Sequence, residues 1–342
     1  MRVCIVGAGP TGLFAAIALA RRGHRVTIVD RDRGPARDGT WQRRGVMQFH
    51  HPHGLRRQIA DVLDAELPEV TTALLAAGAV PSVLPAEGDR PATVVGLQCR
   101  RSTFERVLRG TAVAEPGVAM AAGHVDEVLS ERGRVAGVRV DGRALRAELV
   151  LNASGRSGRV GDDLRAPGER ADCGLSYVSR HYALRPGAEP GPVNSPPGLI
   201  TRFRGYVAAV FLQDNRTICT LIARLSSDRR LADLRFTPAF DAAVRAIPGL
   251  AEWTAPERTV PTTGVLPGGR RVLQPLVHAS VLALERGDVG GRHDEPSVDA
   301  TMKANRSKDG SSAISSSANR CATSRIARAS PGALRACAVS CA

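Results

Sequence analysis

Hydrophobic positions follow two rhythms along this chain. Arg2-Val3-Cys4-Ile5-Val6 is a short continuous apolar run, the pattern of a strand buried on both faces. A glycine-rich turn follows, and residues 12 to 22 then carry Leu13, Ala16, Ile17 and Leu19 at helical spacing, closed by Gly23 as a C-cap glycine. Arg25-Val26-Thr27-Ile28-Val29-Asp30 is a second, β-branched strand. A βαβ unit is therefore complete within the first thirty residues.

Beyond it, residues 31 to 45 are polar and rich in Gly and Arg, as a loop would be. The spacing of Leu55, Ile59 and Leu63, then of Val70, Leu74 and Leu75, predicts helices over 55 to 65 and 67 to 78. Ser102, with Glu105 three residues on, reads as a capping box opening another helix. From Val125 the rhythm changes to strands: 125 to 129, 135 to 140 and 144 to 151, separated by turns at 131 to 134 and at Asp141-Gly142, predict a three-stranded meander. Residues 173 to 225 predict longer strands of a second unit, including 206 to 212 and 217 to 223, and 237 to 247 predicts a helix. After Trp253 no aromatic residue occurs, and from about Asn305 the text is Ser, Ala and Arg without a period, which predicts disorder.

A chain of 342 residues has room for about two domains. The net charge of +14 raises the question of nucleic acid, but residues 301–342 supply +6 of it, and only 12 aromatics are available to interleave with basic side chains. No nucleic-acid partner is expected. Neither is stable membrane insertion, because apolar runs such as 13–19 and 207–212 are far shorter than the roughly 20 residues of a span. With no leader pattern after Met1, the expected location is cytoplasmic. The seven cysteines form no CxxC pair and have no histidine at ligand spacing, so no metal site is expected.

The turn Gly7-Ala8-Gly9-Pro10-Thr11-Gly12 carries the first chemistry. Strand before, helix after, and Asp30 closing the next strand are the context that gives a GxGxxG its meaning. Gly7 suits the tight turn, Gly9 lets backbone approach a pyrophosphate, and Gly12 lets helix and strand pack closely, while the helix N-terminus attracts the phosphates. Asp30, with Arg31 beside it, is placed to accept ribose hydroxyls. FAD and NAD share this fingerprint, and spacing does not separate them.

The segment from Gly7 to Asp30 resembles the amino terminus of the flavoprotein monooxygenases related to aromatic-ring and polyprenyl-phenol hydroxylases. Three later stretches are similar to the same family. Arg43-Arg44-Gly45-Val46-Met47-Gln48, running on through His50-His51-Pro52-His53, resembles an RxGVPQxxHxHxL segment whose Arg and Gln lie along the flavin side, with Met47 in place of proline. Arg100-Arg101-Ser102 resembles the family's arginine at the helix entering the pyrophosphate region, where a guanidinium adds charge-assisted hydrogen bonds. Asn152-Ala153-Ser154-Gly155-Arg156-Ser157 resembles the family's DASGRxS turn, with Asn152 replacing the acid. Gly174 to Tyr182 is similar to the first substrate-sheet strand, and Gly287-Asp288 stands where a second flavin motif begins, but the NPxxGxG half of that motif is absent. Divergence or an out-of-frame end would each give such a carboxyl terminus.

The resemblance implies an α/β fold with a Rossmann-like FAD-binding domain, parallel sheet and meander, plus a smaller substrate domain on a mostly antiparallel sheet. The corresponding divisions are 1–165 with a helical insertion at about 55–95, 166–265, a degenerate return over 266–300, and the tail 301–342. Gly7, Gly9, Pro10, Thr11, Gly12, Asp30, Arg31, Arg43, Gln48, Arg101, Gly155, Arg156 and Asp288 are the expected cofactor contacts. No side chain is assigned a catalytic role. The implied activity is that of an FAD-dependent monooxygenase: NAD(P)H is the reductant, and molecular oxygen is used to hydroxylate or epoxidise a small apolar organic substrate. Alternatives are a reductase on the same scaffold, a halogenase, disfavoured because Trp41 and Trp253 stand alone rather than in a WxWxIP motif, or an impaired remnant that only binds nucleotide or a partner. The three histidines of the 50–53 loop read as structural or solvent-facing.

Overall fold

The structure is a computed structural model that describes residues 1–281 except 44, 47, 156, 157, 162–170, 173, 269–271 and 274–279. In chain order the amino-terminal elements are β1 (Arg2–Val6), α1 (Pro10–Arg21), β2 (Arg25–Asp30), β3 (Gly54–Arg56), α2 (Arg57–Glu66), α3 (Pro68–Ala76), β4 (Val80–Leu84), β5 (Thr93–Gln98), α4 (Arg101–Ala114), β6 (Val118–Ala122), β7 (Val125–Glu131), β8 (Arg134–Val140), β9 (Arg143–Arg146) and β10 (Leu149–Asn152). The remainder comprises β11 (Ala171–Asp172), β12 (Leu175–Leu184), β13 (Gly198–Phe203), β14 (Tyr206–Leu212), β15 (Thr217–Leu225), a 3-10 helix (Arg229–Arg235), α5 (Thr237–Ala246), α6 (Pro248–Trp253), β16 (Thr259–Pro261), β17 (Leu266–Gly268), β18 (Val272–Leu273) and β19 (Ser280–Val281).

The first sheet has the order β19-β10-β1-β2-β6. Its four strands β10, β1, β2 and β6 run parallel, and β19 is antiparallel to β10. The apolar run of β1 follows from its central place: Val3 and Ile5 pack into the core beneath α1 and α4, whereas Cys4 and Val6 point the other way, onto the meander residues Val125, Val138 and Ala147. Helices and meander thus sandwich the strand that delivers the glycine turn.

The second large sheet runs β13-β14-β15-β12-β16, with β17 also paired to β12, and the pairings are antiparallel. Its even-numbered side chains Val178, Tyr182, Ile218 and Ile222 pack on Phe240, Val244, Leu250 and Trp253 of the helices. The odd-numbered positions of β12, Tyr177 and Ser179 among them, face the 50–53 loop. The expected α/β class, with a parallel sheet and antiparallel ones, is the observed one.

Three expectations are corrected. The third meander strand is two strands: β9 ends at Arg146, and β10 leaves the meander to pair with β1 in the parallel sheet. The break falls at Ala147, which is buried in the core on that side while its N–H still bonds to Ala136 O at 3.1 Å. Ser102 is not the N-cap of α4; Arg100 is, and Glu105 forms no capping box because its carboxylate is buried between two arginines. Residues 80–98, expected in a helical region, form the hairpin β4–β5, which joins β3 in a three-stranded sheet.

Candidate functional site

Backbone fit explains the glycine turn. Gly7 has φ +106°, and a Cβ there would overlap the carbonyl oxygen of Ala153, so the turn after β10 is packed directly against it. A Cβ on Gly12 would overlap the Gly7 carbonyl oxygen, so the first turn of α1 closes onto β1. At Gly9, by contrast, a Cβ would meet nothing within 4 Å, leaving open space at the helix N-terminus. Gly9 is the N-cap and brings no side chain to the helix, Pro10 occupies the first turn, and Thr11 is buried. The arrangement exposes the positive end of α1 to an anion while sealing the sides of the turn. It fits a dinucleotide diphosphate.

Asp30 ends β2 beside this turn. Its Oδ2 accepts from the Ala8 N–H at 2.6 Å and from Arg43 Nη2 at 2.8 Å, and its Oδ1 accepts from the Asp32 N–H at 2.8 Å. A carboxylate offers about four lone-pair directions, so these three donors leave room for about one more, such as a ribose hydroxyl. Arg43 is the hub. Its Nη1 donates to Ala8 O at 3.1 Å and to Glu105 Oε2 at 2.5 Å, and its Nε lies 3.5 Å from Asp32 Oδ2. Burial disfavours the charged guanidinium, but Glu105, Asp30 and Asp32 outweigh it and raise the Arg43 pKa above its ordinary value. Glu105 is fully buried and also accepts from Arg101 Nε at 2.5 Å, while Arg101 Nη1 reaches Gln48 Oε1 at 3.5 Å.

The predicted residues Gly7, Gly9, Pro10, Thr11, Gly12, Asp30, Arg43, Gln48 and Arg101 therefore form one connected group. Gly155, at φ +75°, lies in the turn after β10, next to Ala153 and Ser154 beneath Gly7. Arg31 is exposed, with its guanidinium alongside Gly45 rather than in the ion network. Arg156 and Asp288 lie outside the described residues. Asn152, where the family pattern has an acid, is fully buried; its Oδ1 accepts from the Ser154 N–H at 3.0 Å and its Nδ2 donates to Val160 O at 2.5 Å. An aspartate has no donor for that second bond, so the amide ties the loop on both sides.

A second contact surface joins this group to the antiparallel sheet. His51 Nδ1 hydrogen-bonds Ser179 Oγ at 2.8 Å and its ring meets Tyr177 edge-on, while His181 Nε2 donates to His50 O at 2.8 Å. His51 and His181 are both buried. Desolvation pushes the His51 pKa down to about 4 and that of His53 to about 3, with Arg101 contributing to the latter. These imidazoles are neutral at pH 7, matching a structural role. A few residues along the sheet, buried Asp214 accepts from the Arg100 backbone N–H at 2.5 Å, from Arg100 Nη2 at 2.7 Å and from Thr103 Oγ1 at 2.7 Å, so the β14–β15 turn supplies the acidic cap that α4 lacks in sequence. Among the described residues no group of three or more His, Cys, Asp or Glu could hold a metal ion.

Sequence reasoning missed Glu105, Asp32, Asp214 and Ser179. Glu105 alone left a signal, the Arg101–Glu105 spacing of four along α4. The other three act through long-range contacts.

A glycine turn on a parallel sheet, an acid closing the next strand and an antiparallel sheet seated against the loop beyond define a two-sheet α/β architecture of dinucleotide-binding type. Residues 2–88 match the family described as FAD dependent oxidoreductase. The NAD-dependent dihydropyrimidine dehydrogenase subunit PreT of Escherichia coli (strain K12) is 39% identical over 69 residues, 20% of this chain. That match spans only 14% of PreT. Among solved structures, the myxobacterial chondrochloren halogenase CndH, an FAD-dependent halogenase, superposes with TM-score 0.55 and 20% identity over 80% of this chain and 63% of that one. PqsL, a probable FAD-dependent monooxygenase from Pseudomonas aeruginosa, superposes with TM-score 0.54 and 18% identity over 77% of this chain and 73% of that one. The amino-terminal segment is thus similar to the FAD dependent oxidoreductase family, and the fold resembles that of an FAD-dependent halogenase and a probable FAD-dependent monooxygenase.

Proposed function

We propose that this chain is an NAD(P)H- and oxygen-dependent flavoprotein monooxygenase that hydroxylates or epoxidises a small apolar organic molecule. The observation that carries the reading is the joining of the open helix N-terminus at Gly9 to Asp30, Arg43 and Arg101 through one buried ion network. In this reading α1 and Arg101 neutralise the FAD diphosphate, Asp30 takes a ribose hydroxyl, and Arg43 holds Asp30 toward the turn. Bound FAD would supply the redox chemistry. Neutral His51 and His181, hydrogen-bonded to Ser179 and to the His50 carbonyl, would keep water from the seam between cofactor loop and substrate sheet.

The test is oxygen consumption by the FAD-loaded protein with NADPH or NADH. A rate above that of free FAD, with hydroxylated or epoxidised product, supports the monooxygenase. Reductant oxidation in the absence of oxygen, passed to another acceptor, points to a reductase instead. No turnover under either condition removes the enzyme reading.

A further inference from the structure

The substrate sheet carries a second concave site at the Ser176 end of β12, reaching from the face opposite the cofactor loop to Tyr177 and Pro267 at the sheet edge. Ser179, which bonds His51, is an odd-numbered position of β12; Ser176 and Val178 point to the opposite side, as do their register partners Arg224 and Ile222 on β15. There the sheet and the 3-10 helix bound a cavity of about 200 Å³, and Arg224, Arg229 and Arg235 all line it. No Asp or Glu stands among its described lining residues. The carboxylate of Asp228, just outside, is engaged by Arg230 at 2.9 Å and 3.0 Å.

Three arginines line one wall with no carboxylate among the described lining residues, and although Asp228 offsets part of the Arg224 charge from outside, a concave wall rich in one sign concentrates the field and favours an anion. Arg224 is oriented already: its Nη1 donates to Leu225 O at 3.0 Å and Asp228 O at 2.9 Å. Arg235 lies 4.7 Å from the centroid of the Phe236 ring, on which its guanidinium rests. Ser176 and Ser226, whose hydroxyls are 2.8 Å apart, add hydroxyl donors at the same wall. Arginine forks and hydroxyls together match the oxygens of a tetrahedral dianion.

We infer that this cavity is a phosphate-binding site, separate from the glycine turn and filled either by free phosphate or by a phosphate group of a nicotinamide nucleotide. The phosphate site itself does not depend on the proposed activity; only its nucleotide occupant rests on that reading. Isothermal titration of the purified full chain with inorganic phosphate tests it, using Arg229→Glu/Arg235→Glu, Arg101→Ala and Arg230→Glu as comparisons. Phosphate should bind the wild-type chain, and the double variant should bind about tenfold or more weakly. Arg101→Ala, at the glycine turn, should keep this binding, and Arg230→Glu, which frees the Asp228 carboxylate beside Arg224, should weaken it. Arg229→Gln/Arg235→Gln serves if the charge reversals unfold the chain, as judged by circular dichroism. Competition by adenosine 2′,5′-bisphosphate assigns the site to a nucleotide, and its failure to compete assigns it to free phosphate. No phosphate binding by the wild type, or a loss only in Arg101→Ala, overturns the inference.

Discussion

The two sides of the molecule that meet at the 50–53 loop solve burial in opposite ways. On the side of the glycine turn, charge is buried against charge: Arg43 and Arg101 share fully buried Glu105, and Arg43 reaches on to Asp30 and Asp32. On the side of the antiparallel sheet, polar groups are buried neutral, with His51 on Ser179 and His181 on a backbone carbonyl. The difference teaches where each side is vulnerable. An ion network fails when one member is removed, because the others remain charged and buried. A neutral histidine seal fails when protons are added.

Glu105→Ala should therefore have the largest effect. It leaves two guanidiniums without their shared carboxylate and should lower the unfolding free energy by about 3–5 kcal/mol in urea titrations. A loss below about 1 kcal/mol would mean that the network carries little stability.

Asp214→Ala should come next. The variant loses the link between the β14–β15 turn and the start of α4, strands the Arg100 N–H and the Thr103 hydroxyl, and should cost about 2–3 kcal/mol. Hydrogen exchange should show the first turn of α4 opening before the rest of the helix. Uniform exchange along α4 would remove the capping role.

The effect that is smallest at neutral pH, where it vanishes, is a pH dependence from the other side. The His51 pKa is depressed to about 4 from an ordinary 6.5, so between those values the unfolded chain binds a proton that the folded chain refuses. Stability should thus be level above pH 6.5 and fall as pH drops toward 4, by up to about 1.4 kcal/mol per pH unit for this group. His51→Gln should flatten part of that slope. An unchanged slope would place the titration elsewhere, His53 being the other strongly depressed group.

The same contrast explains what was legible in the sequence. The βαβ start was readable because its signals are local: a buried run, glycines at fixed spacing and an acid at the end of the next strand. The long strands β14 and β15 were readable for the same reason. The hairpin β4–β5 was not, because Pro81 and Gly96 interrupt it, and Gly96 sits at φ +157° where a Cβ would overlap the Leu55 carbonyl oxygen. β6, with the text VAMAA, has no strand signature of its own and owes its conformation to pairing with β2. In the site, the glycines, Asp30 and Arg101 were legible. The roles of Glu105, Asp32 and Asp214 were not, since each depends on a partner brought in by the fold.

The central claim is that the open helix end at Gly9, with Asp30 and Arg101 beside it, holds FAD. The visible absorption spectrum of the purified protein tests it most directly, with identification of any flavin released on denaturation. The account predicts a yellow protein that releases FAD, and weaker FAD retention in Asp30→Ala and Arg101→Ala. A colourless protein that takes up no added FAD, or unchanged FAD affinity in both variants, would contradict it.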